Sequence, residues 1–228
     1  ITLETGFTTI RNTGSNSYGD VAVRDMINAG VIPGPRIYVA TRGLGITGGH
    51  ADINGWSPHL DLPGYAEIAD GVDEVRKAVR RQVKYGADLI KVTATGGVLS
   101  AGDAVGAQQY SFEELVAIVE EANRAGIKVA AHAHGASGIV DASNAGVASI
   151  EHGSLVDDAG IEAMKANGTF MVPTLYALDF IIDEGAENGV PQYGIDKAIS
   201  IATEQRKQLR RAYQEGVRFA YGSDAAVF

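Results

Sequence analysis

The sequence contains no cysteine, which excludes disulfides, thiolate metal sites and a cysteine nucleophile. Positive charge is also scarce, because 19 Lys and Arg face 28 Asp and Glu and leave a formal net charge of −9. No run of like charge forms a tail, and no apolar run reaches the roughly 20 residues of a membrane-spanning helix. The composition therefore predicts a globular protein that binds neither nucleic acid nor a membrane.

One local pattern recurs along the 228 residues: a helical stretch, a glycine, and then an apolar strand, as in Ala125-Gly126-Ile127. A glycine just past a helix relieves the steric cost of the left-handed closing residue. Strands that alternate with helices predict βαβ units and a parallel sheet. Ser111 and Glu114 form a capping box before one helix. The predicted strands are 7–12, 36–41, 88–94, 127–133, 147–151, 169–173 and 217–222, and the predicted helices are 18–29, 71–85, 112–125, 137–145, 158–167 and 194–215.

Two long loops, 42–70 and 174–193, and a shorter one, 96–110, follow the carboxyl ends of predicted strands. A (β/α)8 TIM-type barrel builds its site from loops at that end. Such a barrel has eight strands, whereas the sequence shows about seven and no helix after the last. We therefore expect one α/β domain over 1–228, an incomplete barrel of parallel strands.

Chemistry-bearing side chains stand in or at the ends of these strands. The run Lys128-Val-Ala-Ala-His132-Ala-His134-Gly135 places His132 and His134 on one face, because residues two apart on a strand point the same way. Lys91, His152 and Asp224 occupy similar places on other strands. By the same alternation, we expect Ala148, Ile150 and His152 to share the interior face.

Each of these residues has an ordinary structural alternative. Lys91 could be salt-bridged or could snorkel to solvent, because an unpaired buried ammonium is costly. His152 could be a hydrogen-bonded core histidine, and Asp224 could cap a helix. Taken together, however, imidazole and carboxylate groups at the ends of several parallel strands favour a divalent metal site such as zinc.

The motifs resemble those of the amidohydrolase superfamily, in its metal-dependent prolidase-like and imidazolonepropionase-related branch. The resemblance covers nearly the whole chain, and the motifs follow the order of the family. The motifs that carry it are Gly6-Phe-Thr-Thr-Ile-Arg-Asn, Ile46-Thr-Gly-Gly-His50-Ala-Asp, Asp88-Leu-Ile-Lys91-Val, Ala131-His132-Ala-His134-Gly, Ile150-Glu-His152-Gly and Gly222-Ser-Asp224-Ala.

The resemblance implies two divalent metal ions, expected to be zinc, at the mouth of the barrel. Lys91, carboxylated by carbon dioxide to a carbamate, would bridge both ions. His132 and His152 would bind one ion, while Asp224 would bind the other and act as general base. His134 would face the substrate carboxylate, and His50 would touch the substrate or polarise its scissile carbonyl. His59 matches no role and is expected to be a surface histidine.

One departure from the family concerns its first strand, which carries a His-x-His pair. Here the sole His-x-His is 132–134, and the chain has five histidines in all. The resemblance thus implies that this strand and a small β-sandwich are absent, so we expect a part of a longer protein. No signal peptide is visible, and the cytoplasm is the default expectation.

The expected activity is hydrolysis of the amide bond of a dipeptide or an N-acyl amino acid. Two alternatives stay open: a cyclic-amide hydrolase like imidazolonepropionase, and a barrel fragment without catalysis. The expected partner is a small-molecule or dipeptide substrate, and a homo-oligomer is compatible with the sequence.

Overall fold

The computed structural model describes residues 1–225 except 58, 61 and 63. Those three positions of the predicted loop 42–70, and residues 226–228 of the predicted domain, lie outside the described residues. Within the described part the chain forms nine strands in two parallel sheets. The strands are β1 (Thr9–Asn12), β2 (Arg36–Val39), β3 (Gly43–Gly45), β4 (Ala66–Ile68), β5 (Leu89–Thr93), β6 (Lys128–Ala133), β7 (Ser149–His152), β8 (Phe170–Val172) and β9 (Arg218–Phe219).

Helices alternate with these strands. Their bounds are α1 (Gly19–Asn28), α2 (Gly71–Lys84), α3 (Phe112–Arg124), α4 (Ala136–Ala145), α5 (Asp158–Asn167), α6 (Leu175–Asp183) and α7 (Gln192–Gln214), with a 3₁₀ turn at Asn16–Tyr18. The predicted capping box of α3 is confirmed, since Ser111 Oγ accepts from the Glu114 amide and the Glu114 side chain accepts from the Ser111 amide. In the described residues, no helix is both long and apolar enough to cross a membrane.

The larger sheet has the strand order β4-β3-β5-β6-β7-β8-β9, and β1 pairs with β2. The amide of Asp88, just before β5, donates to the Val39 carbonyl of β2 at 2.8 Å, so the two sheets lie side by side. This is the parallel sheet of an incomplete TIM-type barrel, and the predicted fold class is confirmed.

The two faces of the sheet differ. One face packs against the helices in a large buried cluster that includes Val92, Ile118, Ile150 and Met171. Burying each such side chain contributes about 1.5–3 kcal/mol. The other face is the barrel interior, where Ala40, Leu89 and Ala130 form a small cluster of their own. Because side chains alternate along a strand, the residues two places beyond these on β5 and β6 also face the interior.

All predicted strands and helices are present, but three elements were missed. β3 and β4 lie inside the predicted loop 42–70, and α6 lies inside 174–193. β3 has the sequence Gly-Leu-Gly and β4 has three residues, which is too short for a period to show. α6 follows Thr174, which has a left-handed φ of 44° and makes no side-chain cap hydrogen bond.

Candidate active site

Three histidines meet at the carboxyl ends of β6 and β7. His132 lies within β6, opposite Thr93 of β5, and His134 follows the last residue of that strand. His152 is the last residue of β7. One ring nitrogen from each of the three lies within 4.8 Å of the others. This spacing can surround a single ion, since zinc binds imidazole nitrogen at about 2.0–2.1 Å.

His152 reaches this cluster by a turn of the backbone. Arg11 of β1 donates to Ser149 Oγ at 2.8 Å and to both carboxylate oxygens of Glu151, which puts these two side chains on the interior face of β7. Ile150 packs toward the helices instead. The expectation that Ile150 and His152 share the interior face is therefore wrong. The φ of 73° at His152 ends the extended strand and brings the ring to 4.7 Å from that of His132.

Hydroxyl groups hold the histidine rings by their Nδ1 atoms. Nδ1 lies 2.8 Å from Ser154 Oγ in His134 and 2.6 Å from Thr174 Oγ1 in His152. Among the described residues, Nε2 of His132 is buried without any hydrogen-bond partner. A buried polar atom without a partner is costly. Outer hydrogen bonds that leave the other nitrogen free are typical of metal-binding histidines.

The charge state of these histidines also suits a metal. Burial is the main cause that lowers the pKa of His132, His134 and His152 well below 6.5, and Lys91 and the neighbouring histidines lower it further. The rings are therefore neutral near pH 7, which is the form that binds a metal. The residues of the cluster fit a divalent ion.

Lys91 stands on the interior face of β5, two residues from Leu89 of the interior cluster and two from Thr93. Burial lowers the pKa of its amine, while Glu151 and Asp224 act in the opposite direction. Lys91 lowers the pKa of both His132 and His152, which places its amine in their electrostatic neighbourhood. A lysine with a lowered pKa has a larger neutral fraction, and the neutral amine is the form that reacts as a nucleophile.

Asp224 follows β9 in a left-handed conformation, with a φ of 57°. Burial raises the pKa of its carboxyl, whereas Lys91 and His50 lower it. The three-histidine group does not include its carboxylate. The four expected side chains thus share one interior region, but His132 and His152 are the two that come within ligand distance of each other.

His50 joins the cluster from the loop after β3. Its ring stacks on His132 with centroids 4.3 Å apart, and its Nδ1 lies 2.7 Å from Ser100 Oγ. Burial is the main cause that lowers the pKa of His50 to about 4. His59 is exposed and lies outside the three-histidine group, as its assignment to the surface predicts.

The orienting hydroxyls were not predicted. Ser100, Ser154 and Thr174 lie in segments that follow strands, where serine and threonine are common for many reasons. Thr174 comes directly after the predicted strand 169–173, and that position was the one available signal. A hydroxyl orients an imidazole only if the fold brings the two within hydrogen-bond distance. The sequence does not give that distance.

Comparison with known proteins gives one family. The model of the amidohydrolase family matches residues 2–227. Ochratoxinase from Aspergillus niger is 38% identical over 232 residues, which cover 93% of this chain and 48% of that protein. An uncharacterised protein from Mycobacterium bovis is 28% identical in an alignment 149 residues long, which covers 58% of this chain and 40% of that protein. The chain spans about half the length of the curated relatives that it matches.

Solved structures agree with this comparison. A Xaa-Pro dipeptidase with methionine bound in its active site has a TM-score of 0.91 and 41% identity, covering 98% of this chain and 56% of that protein. A prolidase in complex with N-methylphosphonate-L-proline has a TM-score of 0.89 and 38% identity, over 97% of this chain and 55% of the other. The crystal structure of A. niger ochratoxinase has a TM-score of 0.83 and 37% identity, with coverage of 98% and 53%.

Proposed function

Because this chain belongs to the amidohydrolase family, we propose that it forms the catalytic barrel of a metal-dependent hydrolase that cleaves the amide bond of a dipeptide or an N-acyl amino acid. The observation that carries the proposal is the group of three neutral histidines whose ring nitrogens lie within 4.8 Å of one another. The names of the relatives support amide substrates, since two of the similar solved structures are a Xaa-Pro dipeptidase and a prolidase.

The residues that would hold metal are those of the interior region. His132 and His152 would bind one ion, Asp224 the other, and Lys91 would bridge the two as its carbamate. Forming the carbamate joins the neutral Lys91 amine to carbon dioxide and releases a proton, so the lowered pKa of Lys91 favours it. A bound divalent metal would polarise the scissile carbonyl and lower the pKa of bound water to near neutrality.

The side chains of the chain itself handle protons and substrate. Asp224 would accept the proton of the attacking water and return it to the leaving amine. Its raised pKa brings the carboxyl closer to the working pH, which suits a group that both takes and gives a proton. His134, at the end of β6, would stand nearer the mouth than His132 and meet the carboxylate of the substrate.

A substrate profile tests this function and separates it from the alternatives. The protein, loaded with zinc, is assayed with unblocked dipeptides, N-acyl amino acids, the same compounds with an amidated C-terminus, and cyclic amides. We expect turnover of the first two classes and a strong loss on amidation. Turnover of cyclic amides alone would identify the ring-opening alternative. Stoichiometric zinc without turnover of any amide would identify a barrel without catalysis.

A further inference from the structure

A line of hydrogen bonds leads from α7 to His50, outside the three-histidine group. Lys197 of α7 donates to Asp103 Oδ1 at 3.0 Å. Ser100 Oγ lies 2.5 Å from the same carboxylate oxygen and 2.7 Å from Nδ1 of His50. The side chains of Asp103 and Lys197 are 9% and 19% exposed, and Ser100 is buried. These contacts are enclosed, so water competes with them weakly.

The protons of this line can be assigned from what each group is able to donate. Asp103 is an acceptor, and besides Lys197 it accepts from the Gln109 amide nitrogen at 3.2 Å and the Gly97 backbone amide at 3.4 Å. Ser100 has a single hydroxyl proton, and an oxygen 2.5 Å from a carboxylate must donate it there. The other acceptor near Ser100, the Gly97 carbonyl at 3.5 Å, is more distant.

The hydroxyl oxygen of Ser100 is therefore left as an acceptor toward His50. Nδ1 of His50 must carry the hydrogen and donate it to Ser100, because two acceptors would repel each other at 2.7 Å. A neutral imidazole has one N–H, so Nε2 of His50 is then a bare lone pair. No hydrogen bond reaches that Nε2 from any residue that the structure describes.

The tautomers of His134 and His152 are not fixed in this way. Ser154, beside His134, accepts from the Gln205 amide nitrogen at 3.2 Å and keeps its own proton free for His134. Thr174 has His152 as its side-chain hydrogen-bond partner among the described residues. Both hydroxyls can donate to Nδ1 or accept from it, so the chain leaves these two tautomers open and fixes that of His50.

The plane of the His50 ring is fixed as well. A Cβ atom on Gly97 would stand 2.3–2.5 Å from Cε1, Nδ1 and Nε2, which puts the bare Cα of Gly97 against the face of the ring. His132 stacks on the ring at 4.3 Å. Position 97 therefore requires glycine, and the ring cannot turn about its Cβ–Cγ bond, which would take Nδ1 away from Ser100, without moving the loop.

We propose that Ser100 and Asp103 are positioning residues that hold His50 as the Nδ1–H tautomer, so that its Nε2 is a hydrogen-bond acceptor in the active site. Lys197 anchors the carboxylate and, through the carbonyls of Gly97 and Ser100 at 3.1 and 2.7 Å, the loop that carries it. The consequence for the reaction rests on the proposed function. Of the two expected roles of His50, polarising the scissile carbonyl needs a donor and is disfavoured. Contact with an N–H group of the substrate needs an acceptor and is favoured.

The tautomer is measured directly by a long-range ¹H–¹⁵N correlation spectrum of the ¹⁵N-labelled chain, recorded near neutral pH without metal or substrate. The His50 signals are assigned by their loss in His50→Gln. We expect Nδ1 to show the shift of a protonated nitrogen and Nε2 that of a bare one. In Ser100→Ala and Asp103→Asn we expect the Nε2–H form to gain population. Since no turnover is measured, failure of this proposal is distinct from failure of the proposed function.

Matched variants separate positioning from mere packing. Ser100→Thr keeps the hydroxyl and should keep the wild-type pattern. Ser154→Ala removes the equivalent hydroxyl beside His134 and should leave His50 unchanged, and the exposed His59 serves as an internal reference in every spectrum. An Nε2–H form of His50 in the wild-type chain would overturn the proposal, as would an unchanged pattern in Ser100→Ala.

Discussion

His132 and His134 stand two residues apart. We expect His132 to bind a metal and His134 to bind the substrate. Nε2 of His132 is buried without a partner among the described residues, whereas His134 lies one pleat nearer the mouth. We expect His134→Ala to keep metal content near that of the wild type and to raise KM more than it lowers kcat, because it removes a group that binds ground state and transition state alike. We expect His132→Ala to lose metal. Metal analysis of both variants would reverse the assignment if His134→Ala alone were depleted.

Substitution of Lys91 tests the expected bridge between the two metals. A carbamate would contribute two oxygens to the metals, and alanine has none. We therefore expect Lys91→Ala to abolish turnover, by a factor of at least about 10³ if a metal is lost, and we expect added short carboxylic acids to restore part of it. Undiminished turnover of Lys91→Ala would exclude the bridge.

Some properties of the site residues can be predicted from the sequence and others cannot. Residue type and strand-end placement identified His132, His152, Lys91 and Asp224 as candidates, because polar groups in apolar strands are conspicuous. The direction of His152 was inferred from strict alternation, which holds for extended backbone and fails at a φ of 73°. Such a turn depends on packing around the strand end and leaves no periodic signal.

At the scale of elements, an ion pair across the barrel interior connects β1 to β7. Arg11 donates to both oxygens of Glu151, at 2.8 and 2.9 Å, and Ser149 Oγ donates to Glu151 at 2.6 Å. The Glu151 side chain is 6% exposed and that of Arg11 is 33% exposed. Removing Arg11 and removing Glu151 should therefore change the free energy of unfolding by different amounts.

We expect Arg11→Met to lower the free energy of unfolding by about 3 kcal/mol, because it leaves a buried carboxylate without its cation. Glu151→Gln should cost less, because water can reach the guanidinium. Denaturant unfolding of both variants and of the double variant gives the coupling free energy. Equal losses in the two single variants would show that the pair does not stabilise the barrel through the buried carboxylate.

Some helices and strands of the fold are predictable from the sequence and others are not. α2 and α3 were predicted nearly to the residue, since each begins after a polar cap position and ends before a glycine at 86 or 126. β3 and β4 exist because each pairs with neighbouring backbone, in the registers Leu44↔Glu67 and Leu44↔Val92. Pairing between segments more than 20 residues apart is a tertiary property that neither local sequence expresses.

The whole molecule contains a group of four histidines that folding keeps neutral. The pKa of His50 is lowered to about 4, and those of His132, His134 and His152 are lowered well below 6.5, with burial as the main cause. The unfolded chain takes up protons on these residues as the pH falls below 6.5, and the folded chain does not. The associated stability is complete above that pH and is lost as the pH falls toward about 4.

We expect the free energy of unfolding of the metal-free chain to fall between about pH 6.5 and 4, with a slope of up to about 1.4 kcal/mol per pH unit for each histidine. Asp224, whose pKa is raised by burial, offsets part of this at the acidic end. Urea unfolding over this pH range measures the slope, and His50→Gln should flatten it. The matched control, His59→Gln, replaces an exposed histidine. If His59→Gln flattened the pH dependence of the unfolding free energy and His50→Gln left it unchanged, the account would be contradicted.

We propose that the interior side chains of this protein serve amide hydrolysis by holding a divalent metal. The most direct measurement is the turnover of an unblocked dipeptide by the protein before chelation, after removal of metal, and after zinc is added back. We predict that turnover disappears with the metal and returns with zinc. Undiminished hydrolysis by the metal-depleted protein, or no hydrolysis by the zinc-loaded one, would contradict the account.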